Sequence, residues 1–580
     1  MTFAKALQRA LAQQGETVEI PETQACETHP EEIPMMYRAQ ISGRCSLQFA
    51  GSQKDRDRWT EELLYPEPRE SKPRHQHSEE VRMVLEEGRF CRLKISFPWR
   101  VFTNCGQDSI ARPVLDVRGI PHIPGSSIKG LFRRECEQRD RLKPESGLTN
   151  RYCGDKNKLK PGIAPLRFHG AYPVGDWAGT IEEETQNAGE PRYRMVDVVH
   201  PQEDWQIGKP TRNGQPPRRK NASALISLYQ PTLVFEISSS RTLSQEEWKA
   251  ISGILKTALR RGLGGKTSSG YGLAYQPKNQ YDLGAYLMGR GTNPVLLGKD
   301  PEFRPNLFKA ALRGHTRRLL AGCSSQVDRL VGELFGSTKA PARVEIFWDE
   351  KLPSQPTSTY DVKGTLWISA PEKKEKELLQ SVFQFAYTMG GFGKSWRRVW
   401  HEKFYQPIYQ ENNPERRYDK DIGCHWESDE DWLNEIQTPE QLTKFLNRVE
   451  KVCQRYCGGN TSQPMDWREA WHQDRVAVYA AVTQRSQAIE LFHNPTFKMT
   501  PAIGGKKRVQ KRNGIWTTEF LVSSVWHRML PISDNRYLEI VTVFHGDRSQ
   551  WYSNNDSQLQ PFTNDLVRNN MTRVWGNLQP

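Results

Sequence analysis

The 580-residue sequence contains no apolar run approaching the roughly 18–20 residues that a membrane-spanning helix needs. Its start, MTFAKALQRALAQQGE, is a short amphipathic stretch without a signal-peptide apolar core or cleavage site, so a cytoplasmic protein with no membrane partner is expected. Ten cysteines at irregular spacing do not make a disulfide framework and are expected to be reduced. No tight CxxC pair occurs. The densest group of soft ligands is Cys424, His425, Cys453 and Cys457, a candidate for a structural zinc ion. No HExxH motif occurs, and no Ser-His-Asp order or carboxylate pair marks out a hydrolase site.

Acidic residues are outnumbered. Lys and Arg total 82 against 68 Asp and Glu, a formal charge of +14, and the sequence pI is near 9.2. That balance favours a polyanionic partner, because each neutralised phosphate releases counterions. The chain also carries 17 Trp and 19 Tyr, and rings interleaved with arginine suit stacking on unpaired bases. Most of these rings are nevertheless expected in cores. A mean hydropathy of −0.74 points to a loop-rich surface, and by length the chain divides into roughly three or four domain-sized pieces.

Residues 1–88 read as a charged, Pro-containing extension with a strand pair in YRAQISGRCSLQFAG. The texture changes at residue 89. RFCRLKISFPWRVF alternates as a strand, the loop TNCGQDSIARPVLDVRG follows, and IPHIPGSSIKGLFRRE (120–135) turns sharply into a basic helix. APLRFHGAYPV is a short strand, residues 175–220 a long polar insertion, and ALISLYQPTLVFEIS a further strand. The next helix is marked by a capping box, Ser244 with Glu247, and a staple of Leu243 on Trp248. It runs into GLGGKTSSGYG and a last strand. This β–α–β…β–α–β order predicts an α+β, ferredoxin-like domain over 89–276.

The second half repeats the plan. EFRPNLFKAALRGHTRRLL (302–320) takes the place of the turn and basic helix, and KELLQSVFQFAYTMGGFGKSWRRVW (376–400) that of the capped helix and glycine loop. The expectation is therefore two tandem domains, the second over 277–580. Within it, a polar and aromatic stretch to about residue 500 (406–500) reads as an insertion, with FLVSSVWHRMLPI and YLEIVTVFHGD as closing strands.

The glycine loop is the strongest chemical signal. Seven of its eleven residues are Gly or Ser, more than a helix exit requires. Gly264 and Gly265 let backbone approach a phosphate, Lys266 supplies charge, and Ser268 and Ser269 supply hydroxyls. It is not a Walker A loop, since it follows a helix and leads to a strand, and it does not fit GxGxxG. The turn at 124–129 and the helix it opens offer N–H groups, Ser126, Ser127, Lys129 and Arg133 to an anion. Its counterpart offers Arg304, Lys309 and Arg313, and the second glycine loop Lys394, Arg397 and Arg398 among tryptophans. Asp108 is an acid in the Gly-containing loop just upstream, placed to hold a divalent metal or orient a 2′-hydroxyl. Of the scattered histidines, His122 and His169 lie in loops that could converge.

IPHIPGSSIKGLFRRE followed by GLGGKTSSGYG resembles the RAMP superfamily, the backbone proteins of type III CRISPR effector complexes. YCGDKN…LRFHGAYP and MVDVVHPQ (195–202) are similar to family segments, the latter to one in the subunit that caps the far end of the complex. LFGS (334–337), RVEIFWD and GGFGKSWRR are family-like in the second half, where FRPNLFKAALR replaces IPGSS. The resemblance implies a subunit that winds along guide RNA, gripping its backbone, and that contacts the guide–target duplex through a thumb-like insertion within 175–220. Target RNA and other effector subunits, including a large signalling, polymerase-like one, are the implied partners. In members that cut target RNA a loop aspartate before the IPGSS segment is catalytic, and Asp108 falls there. The implied chemistry is attack of a 2′-hydroxyl on the adjacent phosphate, supported by Mg or Mn. Here three residues, Ile110 to Arg112, separate Ser109 from Pro113, a departure from the pattern. A non-cutting capping subunit and a guide-processing endoribonuclease are the alternative readings.

Overall fold

The computed structural model describes residues 88–578. Within that span the description omits 104, 108–109, 116–120, 155–163, 182–191, 200–222, 275–280, 295–300, 338–340, 353–356, 394–396, 405–422, 459–463, 499, 505–506, 513–514, 521–522, 534, 547–548, 550 and 554–555. The extension through residue 87 and most of the 175–220 insertion thus lie outside the described residues. No described helix is long and apolar enough to cross a membrane.

The architecture is α+β, with mainly antiparallel sheets. Phe90–Ser96 alternates half-buried and exposed side chains and pairs antiparallel with Thr232–Ser239. That strand pairs in turn with Leu166–Val174, giving a three-stranded sheet. Gly125–Leu142 is the helix between the first two strands in the chain, and Gln245–Leu259 follows the third. Ile128, Leu131, Phe132 and Cys136 line the buried face of the first helix, packed with Ile251, Ile254, Leu255 and Ala258 of the second. The Ser244 hydroxyl accepts from the Glu247 amide at 3.2 Å, as the capping pattern demands. The Glu247 carboxylate turns outward instead, to Arg151 at 2.5 Å and Arg241 at 3.3 Å.

The chain beyond residue 281 contains two principal sheets, where one domain with an insertion is expected from sequence. The first has the order Glu345–Leu352, Thr359–Ser369, Leu283–Thr292, Cys424–Glu427, every pairing antiparallel. The second runs Arg397–Arg398, Val525–Ser533, Arg536–Phe544, Val476–Thr483, Thr572–Trp575. The expected closing strands, Val525–Ser533 and Arg536–Phe544, therefore belong to a separate sheet, and Val476–Thr483 of the supposed insertion is one of its three inner strands. In both sheets, the four main strands taken in chain order lie as second, third, first, fourth. Helices connect first to second and third to fourth: Asn306–Ala321 and Lys373–Met389 in one sheet, Ala488–His493 and Leu559–Arg568 in the other.

With the three-stranded sheet as the first unit and these two sheets as the second and third, the reason the third escapes a pattern reading is physical. Val476–Thr483 is buried on both faces through Ala481, so it shows a continuous apolar run instead of alternation. Val476, Val478 and Ala480 join the core shared with the second unit, while Ala477, Tyr479 and Ala481 pack with the terminal helices on the other face.

Candidate nucleic-acid interface

The turn into the first basic helix is pinned onto a neighbouring strand. Ile123 exchanges backbone hydrogen bonds with Ala171 at 2.8 and 3.0 Å. Pro124 stands at the cap position, no side chain caps the helix start, and its first turn holds no acid. Ser126 and Ser127 are exposed there. A helix start so built carries partial positive charge and donors toward an anion. Lys129 follows on the first turn, while Arg133 is engaged with Glu137 at 3.1 Å.

The glycine loop is anchored at its base and folded back on the first unit. Arg261 pairs with Glu135 at 3.2 Å, and Arg260 lies 3.8 Å from Glu345 of the second unit. Gly265 N donates to Phe102 O at 2.6 Å, and Gly272 N to Arg100 O at 2.7 Å. The close approach is what requires glycine. A Cβ at Gly264 would stand 2.3 Å from Phe102 O, and one at Gly272 2.0 Å from Leu263 O, both at positive φ. These contacts set the loop beside residues 100–103, the segment that leads into the hairpin strands Cys105–Gln107 and Ile110–Arg112. Asp108, between those strands in sequence, lies outside the described residues. Lys266 adopts a left-handed conformation, φ 55°. Partial burial draws its ammonium below the ordinary lysine pKa, with Asp197 opposing.

Beneath the loop is a buried network of charges that joins the first two units. The Arg100 guanidinium binds both Glu302 carboxylate oxygens, at 2.7 and 2.6 Å, and donates to Ser227 at 2.8 Å. Arg304 meets Asp197 at 2.6 Å, and the Tyr271 hydroxyl donates to the other Asp197 oxygen. Burial opposes the Arg100 charge, but Glu302 more than offsets it and raises the pKa. Burial, with Asp197 adding to it, pushes the Tyr271 phenol well up. The tyrosine of GLGGKTSSGYG, the aspartate of MVDVVHPQ and the arginine of EFRPNLFKAALR thus meet at one point. Sequence spacing carries no signal of that meeting.

The remaining expected residues fall in different places. Arg304 is 8% exposed and Lys309 fully buried, so neither can meet a phosphate at the surface of the folded chain. The Lys309 pKa is brought down to about 8 by burial, with Arg313 adding to it. The reason is packing: this helix starts under the glycine loop, where Gly270 lies against Asn306. Further along, Arg318 pairs with Glu469 at 2.7 Å and Arg317 stacks over Trp467. Arg313 is half-buried on the same helix. Arg397 and Arg398 form a short strand parallel to His527–Arg528, and Lys394 lies outside the described residues. Gly264, Gly265, Ser268 and Ser269 occupy the anchored loop.

His122 stacks on Tyr172, whereas His169 lies in the Leu166–Val174 strand and not in a loop, contacting Ser238 and Phe90, so the two have different partners. The proposed zinc ligands also separate by partner. Cys453 and Cys457 gather around Cys323, while His425 contacts Glu427 at 2.8 Å and Arg528 at 3.1 Å. Among the described residues no group of three or more His, Cys, Asp or Glu is placed to hold a metal ion.

Residues 101–275 match the family model of the RAMP superfamily. No curated protein matches the chain. Solved structures similar to it include Cmr1 from Pyrococcus furiosus in its apo form, at 13% identity and TM-score 0.32, covering 50% of this chain and 98% of that one. A type III-B Cmr-beta assembly in the apo state shares 11% identity at TM-score 0.22, covering 32% and 96%. Cmr6 from Pyrococcus furiosus shares 17% at TM-score 0.18, covering 32% and 98%.

Proposed function

We propose, from the premise that residues 101–275 belong to the RAMP superfamily, that this chain is an RNA-gripping subunit of a CRISPR effector ribonucleoprotein built of ferredoxin-like units. The observation that carries the reading is the anchored glycine loop. Gly264 and Gly272 fold it against residues 100–103, and Lys266, Ser268 and Ser269 remain on the loop as donors to a phosphodiester backbone. The uncapped start of Gly125–Leu142, with Ser126, Ser127 and Lys129, offers a second set. Guide RNA is the proposed ligand, the guide–target duplex forms over it, and further effector subunits, a large signalling one among them, complete the assembly in the cytoplasm.

Target cleavage is proposed at Asp108, which would orient the 2′-hydroxyl that attacks the adjacent phosphate while nearby cations neutralise charge. A Mg or Mn ion, when bound, would supply charge neutralisation at the phosphate in such chemistry. The decisive measurement is target-RNA cleavage by the whole complex carrying Asp108→Ala. Loss of one product from the cleavage ladder supports the assignment. An unchanged ladder sinks it and leaves a capping subunit that holds RNA without cutting.

A further inference from the structure

The Pro439–Tyr456 helix lies in the stretch expected as an insertion, and nothing in the proposed function uses it. It is strongly two-sided. Leu442, Phe445, Leu446, Val449, Val452 and Cys453 are buried against the shared core. At 3.6 residues per turn, Lys444, Arg448, Lys451 and Arg455 fall within roughly 60° of one another on the opposite face. All four are exposed, over a rise of about 16 Å. With Asn447 and Gln454 they line one shallow, open surface depression.

Nearby charge leaves the stripe net positive. Arg448 is tied to Glu435 at 2.5 Å and to Gln384 at 2.9 Å. Glu440 faces Lys444 at the helix start. Lys444, Lys451 and Arg455 have no ion-pair partner among the described residues. Helical packing alone does not demand four cations in line; polar residues of either sign would solvate this face.

We infer that this stripe is a second RNA-backbone contact, reading phosphates without regard to base sequence. The inference rests on the RNA-binding reading above. Charge complementarity favours RNA over an acidic protein, because the patch offers Lys, Arg and side-chain amides without an aromatic or aliphatic anchor. Protein interfaces concentrate their energy in such anchors and are depleted of lysine. No large hydrophobic side chain of this helix is exposed. Phosphate contacts need only cations and donors at intervals along a line.

The test compares the full-length chain with K444A/K451A/R455A, leaving Arg448 to its Glu435 pair, using a uridine homopolymer and a random-sequence RNA. Removing three phosphate contacts from a single strand should make the plot of log affinity against log salt shallower by about two units. Affinity near 0.1 M salt should fall at least about tenfold on both RNAs. RNA should also protect Lys444 and Lys451 of the wild-type chain from acetylation. An unchanged thermal transition in the variant shows that these exposed positions act on binding and not on folding. Equal affinity and slope, with no protection, overturn the inference. Unchanged RNA binding with loss of polyglutamate binding overturns it in favour of an acidic protein. If RNA binding is lost in K129A/K266A but intact in the stripe variant, the inference alone fails. If the wild-type chain binds neither RNA, the reading beneath it fails as well.

Discussion

Asp197 is shared between two groups from distant parts of the chain: it accepts the Tyr271 hydroxyl through one oxygen and holds Arg304 at 2.6 Å through the other. Asp197 is fully buried and Arg304 nearly so. Removing one partner of such a pair strands the other charge without solvent. Asp197→Ala is therefore expected to destabilise by about 3–5 kcal/mol, read as an earlier denaturant midpoint. Asp197→Asn, which keeps an acceptor for Tyr271, should lose less. Equal stability of the alanine variant and wild type would show that the network contributes nothing.

The glycine loop gives a prediction with a built-in control. Gly272→Ala adds a Cβ 2.0 Å from the Leu263 oxygen at a φ of +69°, and should cost about 1–3 kcal/mol while weakening RNA retention. Gly253 lies inside the Gln245–Leu259 helix, and a Cβ there meets nothing within 4 Å. Gly253→Ala is expected to stabilise by up to about 1 kcal/mol, seen as a raised melting temperature, with RNA binding unchanged.

Stability should fall with acid through His425. Its Nδ1 faces Arg528 Nη1 at 3.1 Å, an arrangement that needs a neutral ring. Burial, with Arg528 adding to it and Glu427 opposing, brings its pKa down from 6.5 to about 4. A histidine depressed in the fold leaves stability intact above the unfolded value. That stability is lost as pH falls from about 6.5 toward 4, by roughly 3 kcal/mol. Thermal melts across this window should show the decline, and His425→Gln should flatten it. A wild-type melting temperature constant from neutrality to about pH 4 would contradict the assignment.

Lys129 and Lys266 are expected to act as phosphate contacts. Changing both to alanine should lower guide-RNA affinity and reduce the salt slope by about 1.4. A lower affinity at an unchanged slope would point to altered loop shape and not to lost charge.

Local chemistry was legible where the local sequence determines it. The glycine loop, the IPGSS turn and the Ser244 cap follow from φ preferences, turn residues and hydrogen-bond valence within a few positions. The partners of Arg304 were not legible, because Asp197 lies 107 residues upstream and ion pairs of that reach leave no spacing signal. Two corresponding turns therefore read alike although one faces outward and the other is covered by the glycine loop. The third sheet was hidden by its own burial, since VAVYAA has neither face toward water and so no period of two. The thiols at Cys453 and Cys457 meet Cys323 because two helix ends converge, a tertiary fact.

Trp99 and Leu273 belong in sequence to the first unit, yet both side chains sit in the core of the second, with Trp99 stacked on Phe347. Separating the first unit from the second would therefore break open an interior and not part a seam. The severed first piece would carry an indole stripped of its cover, and the remainder a hollow where that indole had been. For anyone dividing this chain into fragments, the working unit is larger than the repeat.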